Sequence, residues 1–184
     1  MSYIFHAIAI TEIGTALSQI KSEFMLSKTL GGVVASLQSL AGILAILGGI
    51  LSDIFGKIRL ISLSLAIMGV GLLLIYSSPF LLILGISFII FGAGRGFFEA
   101  SVNAFISEVF SEKRGMAINL LHIGWNIGSA IGPPLAAYMI LTYGSWRLGY
   151  IMMSPPLMAL SLIMLILVSR SSCKGKARVH ALEK

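Results

Sequence analysis

Two ionisable side chains, Arg95 and Glu99, stand inside an otherwise apolar run at residues 91–110. If this run is a helix, residues four apart lie on one face, so the guanidinium and the carboxyl group are neighbours. A charge near the centre of a bilayer costs about 2.5 to 3.5 kcal/mol, so such residues usually line a polar cavity or pair with each other. The pair indicates a substrate or proton site. The alternative is a structural ion pair that fixes this helix to its neighbours.

Other polar side chains lie within the apolar runs of the sequence. Glu12 is near the middle of the first run. His122, Trp125 and Asn126 share a helix face in a later run, at positions i, i+3 and i+4. Trp125 could stack on a sugar ring while Asn126 hydrogen-bonds its hydroxyls, or both could serve helix packing. No third ligand is suitably spaced to hold a metal with His6 and His122, so neither a metal nor a cofactor is expected.

The composition identifies lipid as the solvent of this protein. Only 11% of the 184 residues are charged and 57% are hydrophobic, with a mean hydropathy of +0.98. A membrane-spanning helix needs about 20 apolar residues, so the chain accommodates about six of them with short loops. Open strands cannot satisfy their backbone groups in hydrocarbon, and the apolar runs are too long for barrel strands. We therefore expect an all-α membrane protein.

Six helices are predicted, at residues 3–20, 30–51, 60–76, 80–110, 115–141 and 148–168. They form one transmembrane bundle at residues 1–169, and residues 170–184 form a basic tail that we expect to be disordered in the cytoplasm. The third helix is uniformly apolar and is predicted to face lipid. Pro155 and Pro156 are predicted to break the sixth helix.

The fifth predicted helix carries a stripe of small residues. Gly124, Gly128 and Gly132 are four residues apart and are followed by Pro133. Such overlapping GxxxG units bring two helix backbones close together in lipid. We therefore expect this face to contact another helix.

Charge sets the predicted orientation. The net charge of +6 comes from basic residues at the ends of the apolar runs, so they indicate topology and not a nucleic-acid partner. One side of the membrane receives Lys57, Arg59, Lys113, Arg114, Arg170, Lys174, Lys176 and Arg178, and the other only Lys21, Lys28 and Arg147. The positive-inside rule predicts a multi-pass protein of the cell membrane with both termini cytoplasmic. The single cysteine, Cys173, excludes an internal disulfide.

The six helices divide into two similar triplets. The first and fourth helices each carry a mid-membrane glutamate, Glu12 and Glu99, and the second and fifth are rich in glycine. Two three-helix units in inverted orientation are typical of secondary transporters, whose site lies where the repeats meet. This pattern predicts two inverted repeats.

The loop after the second helix reads GILSDIFGKIR and runs from Gly49 to Arg59. It resembles the signature between the second and third helices of the major facilitator superfamily, which it matches at Gly49, Leu51, Asp53, Gly56 and Lys57. Ile54 and Ile58 stand where that family usually has basic residues, and Arg59 replaces one of them a position late. Two further resemblances follow in the same order: Gly128, Gly132 and Pro133 in the fifth helix, and Trp146 with Arg147 before the sixth.

Within that family, the fourth helix is similar to that of the fucose permease-like sugar:proton symporters. Glu99 and Asn103 carry this resemblance, which implies that Glu99 couples proton movement to transport. Glu12 is displaced by about two positions from the acidic residue in the first helix of that branch, and Arg95 is additional. We expect Glu99 to be the main coupling residue and Arg95 to regulate it.

Charged residues also cluster at the predicted cytoplasmic ends of the second, third and fourth helices. Asp53, Lys57, Arg59 and Glu108 could form a latch that closes one conformation, or a solvated loop with weak ion pairs.

Major facilitators have about twelve helices in two halves, and this chain resembles the N-terminal half alone. The resemblance implies a half-length secondary transporter that moves a small polar solute, sugar-like or another metabolite, with a proton. It would work by alternating access, with a second six-helix half or as a homodimer. The alternative is a non-transporting membrane subunit or an inactive truncated fragment. HExxH and GxSxG motifs are absent from the sequence, so an enzyme is not expected.

Overall fold

The computed structural model describes the backbone of residues 1–182, and the side chains of that range apart from 41 and 170–182. Within this part of the chain every regular element is helical, which confirms the all-α prediction. The α-helices are α1 (Ser2–Glu23), α2 (Lys28–Leu40), α3 (Ala45–Phe55), α4 (Lys57–Ser77), α5 (Leu81–Val109), α6 (Arg114–Tyr143) and α7 (Arg147–Leu182). A 3₁₀ turn at Ala41–Leu44 joins α2 to α3, so the seven helices form six rods.

Four of these rods are long and apolar enough to cross a membrane. They are Lys28–Phe55, Lys57–Ser77, Leu81–Val109 and Arg147–Ser169, with mean hydropathies between 2.0 and 2.3. The other two, α1 and α6, carry the polar residues His6, Glu12, His122 and Asn126 along their length. Side chains of this kind lower the mean hydropathy of a helix, and they occur in membranes where a helix lines a polar interior.

The third rod, α4, lies in the middle of the bundle. It packs between α5 and α7, and its buried face includes Leu65, Met68 and Leu72, none of which is exposed. The expectation that this helix only faces lipid is therefore wrong. A uniformly apolar helix has no polar face to show its orientation, so its sequence cannot distinguish lipid from protein as its neighbour.

Serine hydroxyls join α4 to α7. Ser62 Oγ donates to the Ser161 carbonyl oxygen, and Ser161 Oγ donates to the Ser62 carbonyl oxygen, each at 2.7 Å. Further along, Ser154 Oγ donates to the Gly69 carbonyl oxygen at 2.9 Å. All three serines are buried. Lipid tails offer no hydrogen-bond partners, so these bonds between the helices satisfy the serine hydroxyl groups.

The last two rods continue through their prolines. Pro133 and Pro134 lie inside α6, and Pro155 and Pro156 lie inside α7, which corrects the predicted break in the sixth helix. Neighbouring helices and hydroxyl side chains satisfy the freed backbone groups in such places, so proline is tolerated in membrane helices. The apolar part of α7 ends at Ser169. The backbone of residues 170–182 continues the helix, and the assignment of this segment to a cytoplasmic tail stays a prediction.

Candidate functional site

Helix α5 positions the central residues of the site. Arg95, Glu99 and Asn103 lie four residues apart within it, so they follow one face. Two glycines allow close contact on either side. A Cβ atom at Gly94 would lie 2.8 Å from Met68 Cγ of α4, and one at Gly96 would lie 2.9 Å from the Ala45 nitrogen. These positions need glycine so that α5 fits between its neighbours.

The nearest ionisable partner of Glu99 is His6, a residue of α1. His6 Nε2 lies 3.6 Å from Glu99 Oε1, just beyond hydrogen-bond length. The His6 side chain is fully buried, and its ring contacts Tyr3, Phe98 and Trp125 at centroid distances of 5.2, 5.4 and 5.0 Å. From its position in the sequence, we considered His6 only as a metal ligand. Its position in an apolar helix was the signal that could have placed it in this site.

A small cavity of about 150 Å³ opens beside Glu99. It is lined by Tyr3, Glu99, Asn103, His122 and Trp125. The Oδ1 atom of Asn103 is buried without a hydrogen-bond partner, so it can accept a hydrogen bond from a polar ligand. A small number of polar groups that converge among aromatic rings is typical of a small-molecule site.

The guanidinium of Arg95 lies at the 3₁₀ turn between α2 and α3. A Cβ atom at Gly42 would lie 2.5 Å from the Arg95 Nη2 atom, so the guanidinium lies against the backbone of that residue. No carboxylate among the described residues lies within 4 Å of the guanidinium, and Nε is buried without a partner. Arg95 and Glu99 are therefore on one face of α5 without forming the direct ion pair that we considered.

Besides Arg95, two more of the predicted pathway residues, Glu12 and Asn126, do not line the cavity. Asn126 is exposed, although its neighbour Trp125 lines the cavity. Glu12 is fully buried between α1 and α7, where a Cβ atom at Gly149 would lie 2.5 Å from one of its carboxyl oxygens. Both carboxyl oxygens lack a hydrogen-bond partner, and the buried hydroxyl of the adjacent Tyr150 lacks one too.

The predicted charge cluster forms where α3 meets α4. Gly56 connects the two helices with a φ of +87°, a conformation that favours glycine. Lys57 follows it, forms an ion pair with Glu108 of α5, and lies 3.9 Å from Asp53. Arg59 is exposed and takes no part in these pairs. At Gly49 an added Cβ atom would meet nothing within 4 Å, so that position is open.

A larger cavity, about 1250 Å³, is a crevice at the same end of the bundle. Its lining is mainly apolar and comes from the start of α1, the α3–α4 turn and the nearby ends of α5, α6 and α7, including Lys57, Arg59 and Lys113. Tyr3 lines both this crevice and the small cavity. The candidate site is the smaller cavity, because the polar groups converge there.

The glycine stripe of α6 faces α1. A Cβ atom at Gly128 would lie 2.7 Å from Ala7 Cβ, and one at Gly132 would lie 2.7 Å from the Ile8 carbonyl oxygen. At Gly124 the nearest atom would be 3.6 Å away, an ordinary contact. Next to the stripe, Thr15 Oγ1 of α1 donates to the Pro133 carbonyl oxygen at 3.5 Å. Close contact here holds α1, and therefore His6, in place.

A second polar cluster joins the other end of the bundle. Arg147 donates to a Glu23 carboxylate oxygen at 2.8 Å through Nη1 and to the Ser78 carbonyl oxygen at 2.9 Å through Nη2, and Trp146 Nε1 also donates to Glu23. The guanidinium lies 4.4 Å from the centroid of the Trp146 ring. The hydrogen bond from Arg147 holds the pKa of Glu23 below its usual value near 4.5. The cluster ties α1, the α4–α5 turn and α7 together.

Comparison with known proteins gives a family match along almost the whole chain. Residues 1–181 match the Major Facilitator Superfamily. The chain is 32% identical over 151 residues to the cis,cis-muconate transport protein of Acinetobacter baylyi. These residues are 78% of this chain and 35% of that protein.

Two further relatives are 28% identical. The vacuolar membrane amino acid uptake transporter fnx2 of Schizosaccharomyces pombe matches over 104 residues, which are 56% of this chain and 18% of that protein. The uncharacterized MFS-type transporter YfiU of Bacillus subtilis matches over 137 residues, 73% of this chain and 26% of that protein. The chain thus spans about a third or less of the length of these relatives.

Proposed function

Because the chain belongs to the major facilitator superfamily, we propose that it is one half of a secondary active transporter that carries a small polar solute together with a proton. Transport is the role that the names of its relatives support. Proton coupling is supported by the contact between His6 and Glu99, which lies beside a cavity inside an apolar helix bundle. Ionisable residues in such positions mark solute and proton pathways.

The proposed orientation has six membrane spans and both termini in the cytoplasm. The start of α1, the α3–α4 turn, the α5–α6 turn and residue 168 all line one crevice, at the end where the basic residues accumulate. Glu23, Ser78 and Arg147 meet at the other end. Successive connections between the rods therefore lie at alternate ends of the bundle. This arrangement supports six spans in the cell membrane, with the basic end in the cytoplasm as the positive-inside rule requires.

The helix contacts also support two inverted repeats. The first rod of the first triplet, α1, packs on the second rod of the other triplet, α6. In the same way α5, which begins the second triplet, packs on the α2–α3 rod. Alternating access between such repeats needs a second bundle, and the sources that we propose for it are a separate six-helix half or a homodimer.

The names of the relatives restrict the class of solute that we propose. Two of them are named for cis,cis-muconate and for amino acids, which are both carboxylates. A sugar remains the solute that the fucose permease-like pattern of Glu99 and Asn103 suggests. Of the two residues considered for a sugar, Trp125 lines the cavity and Asn126 is exposed.

Membrane vesicles from cells that express the chain with its native second half test this proposal. Glu99→Gln is expected to abolish accumulation driven by a pH gradient and to retain solute exchange, since exchange needs no net proton movement. Glu112→Gln, an exposed change at the α5–α6 turn, is the control and should accumulate like the wild type. Full accumulation by Glu99→Gln would contradict the coupling role.

The second candidate is a non-transporting membrane subunit or an inactive fragment of a transporter, because the match covers at most 35% of each relative. Proteoliposomes that contain only this chain separate it from a homodimeric carrier. Exchange of solute by these vesicles would establish a carrier, and transport that appears only with a second half would establish a split transporter. Absence of transport in both preparations would leave the subunit or fragment.

A further inference from the structure

The crevice at the basic end of the bundle has the depth of one leaflet of a membrane. It is separate from the small cavity beside Glu99, although Tyr3 lines both. On the side of α5 its lining runs from Phe98 to Phe110, which corresponds to about 18 Å of helix. The hydrocarbon of one leaflet is about 15 Å thick, half of the bilayer core. The crevice therefore matches the length of a lipid acyl chain.

The walls of the crevice are suited to such a chain. Four apolar residues line it from α5 at helical spacing, so they form one face: Phe98, Val102, Phe105 and Ile106. Met164 of α7 also contributes to the lining. Water finds few hydrogen-bond partners on walls of this kind, so an apolar chain is the better occupant.

Helix α6 connects the crevice with the surrounding lipid. Met116 and Leu120 both line the crevice, and they are 72% and 65% exposed. Apolar side chains that are exposed on a membrane helix face lipid tails, which are as apolar as they are. The same two side chains therefore border the crevice and the lipid, so an acyl chain can enter from the side.

The α3–α4 turn extends the apolar lining to the end of the bundle. Ile54 and Ile58, the two positions where this chain departs from the major facilitator signature, both line the crevice. A basic residue at either position would add a charge to this wall. Isoleucine keeps the wall apolar, so the remaining charges of the lining are restricted to a few residues.

Two cations of the lining have no acidic partner. Arg59 and Lys113 line the crevice and are exposed, and no carboxylate in the described part of the chain lies within 4 Å of either. The third cation, Lys57, pairs with Glu108 and lies 3.9 Å from Asp53, the acidic residue of the lining. Basic pockets between membrane helices on the cytoplasmic side bind anionic head groups.

We propose that this crevice binds one anionic phospholipid of the adjacent leaflet. An acyl chain lies along α5, and the phosphate group lies between Arg59 and Lys113. Both side chains form charge-assisted hydrogen bonds with phosphate oxygens. The site is separate from the proposed solute and proton pathway, and binding to it is measured without transport.

The alternative is that the two cations only set the topology and that the crevice holds any lipid of the bilayer. Attraction to anionic lipid is then a property of the whole basic surface. Arg114, an exposed arginine that does not line the crevice, would contribute to it as much as Arg59 does. A binding site instead requires the acyl chain and the phosphate group together, and it takes up one molecule.

Lipid binding to the purified full chain in a neutral detergent tests the proposal. The probes are phosphatidylglycerol and phosphatidylcholine with the same two oleoyl chains, phosphatidylglycerol with two hexanoyl chains, and glycerol 3-phosphate. Native mass spectrometry counts the bound molecules, and a titration followed by melting temperature gives the Kd. One dioleoyl phosphatidylglycerol should bind and raise the melting temperature, and the other three probes should bind more weakly.

The expected size of the effect follows from the two cations. A basic residue near an anionic lipid surface contributes about a fivefold preference, so phosphatidylcholine should bind about 25-fold more weakly than phosphatidylglycerol. Arg59→Gln and Lys113→Gln should each weaken the binding of dioleoyl phosphatidylglycerol about fivefold, and the double variant about 25-fold. Ile106→Trp keeps both cations and places an indole ring in the crevice, so it should also weaken binding. Arg114→Gln is the matched control and should bind like the wild type.

Several results would overturn the proposal. They are the absence of bound phosphatidylglycerol, equal binding of the two dioleoyl lipids, and binding of glycerol 3-phosphate as tight as that of the lipid. Equal losses in Arg59→Gln and Arg114→Gln would assign the attraction to the basic surface as a whole, and unchanged binding in Ile106→Trp would place the lipid outside the crevice. The comparisons among probes use the unaltered chain, so they decide the question even if a variant does not fold.

Discussion

The contact between α6 and α1 predicts different effects on stability for two alanine substitutions on one helix face. At Gly128 an added methyl group lies 2.7 Å from Ala7 Cβ and closer still to the Ile4 carbonyl oxygen. At Gly124, one turn earlier, its nearest atom is 3.6 Å away. Carbon atoms rest at about 3.5 to 4.0 Å, so Gly128→Ala must push the two helices apart by about 1 Å, and Gly124→Ala needs no movement.

The magnitude follows from two opposed terms. Alanine gains about 1 kcal/mol over glycine in a helix, and this gain is common to both variants. Overpacking costs about 1 to 3 kcal/mol and applies only to Gly128→Ala. The difference between the variants therefore isolates the helix contact at about 1 to 3 kcal/mol, or about 2 to 12 °C in melting temperature for a chain of this size.

Fluorescence-detected size-exclusion chromatography of heated samples in mild detergent measures this difference. We expect Gly124→Ala to melt at or above the wild-type temperature and Gly128→Ala to melt below Gly124→Ala. Gly128→Leu, with its larger side chain, should fall further. Equal melting temperatures of the two alanine variants would refute the close contact between α6 and α1.

Two more outcomes are expected from the polar ends of the bundle. Since Arg147 lowers the pKa of Glu23 in the folded state, this pair stabilises the fold above about pH 4.5, and the stabilisation is lost as the pH falls through the lowered pKa. The melting temperature of Glu23→Gln should therefore fall less than that of the wild type between pH 6 and 3. In a Cys173→Ser background, an impermeant maleimide should label Tyr143→Cys in intact cells and leave Glu112→Cys unlabelled. The reverse labelling pattern would show the opposite orientation.

Much of the helical framework could be predicted from the sequence. Long apolar runs in lipid have one stable backbone structure, so the helices and the all-α class followed from composition. The turn at Gly56 was marked by its motif, and the structure gives it the positive φ that favours glycine. Boundaries differ by a few residues, chiefly because polar ends such as Glu23 and Lys28 continue their helices.

The partners of the buried polar residues could not be predicted. Periodicity places Arg95 and Glu99 on one face of their own helix, but it does not give the rotation of α1 that brings His6 to Glu99 at 3.6 Å. Burial of Glu12 beside Gly149 depends on the packing of α1 against α7 in the same way. Such contacts come from tertiary packing, which a pattern within one helix does not encode.

The reciprocal bonds between Ser62 and Ser161 have a mechanical consequence. One residue of sliding moves a helix by about 1.5 Å along its axis, enough to break two bonds of 2.7 Å at once. Ser154, bonded to Gly69, resists the same shear about two turns away along α7. These bonds therefore suppress sliding between α4 and α7, so the two rods must tilt together. Any movement that turns the cavity towards the other side of the membrane must then rotate α4 and α7 as one rigid unit.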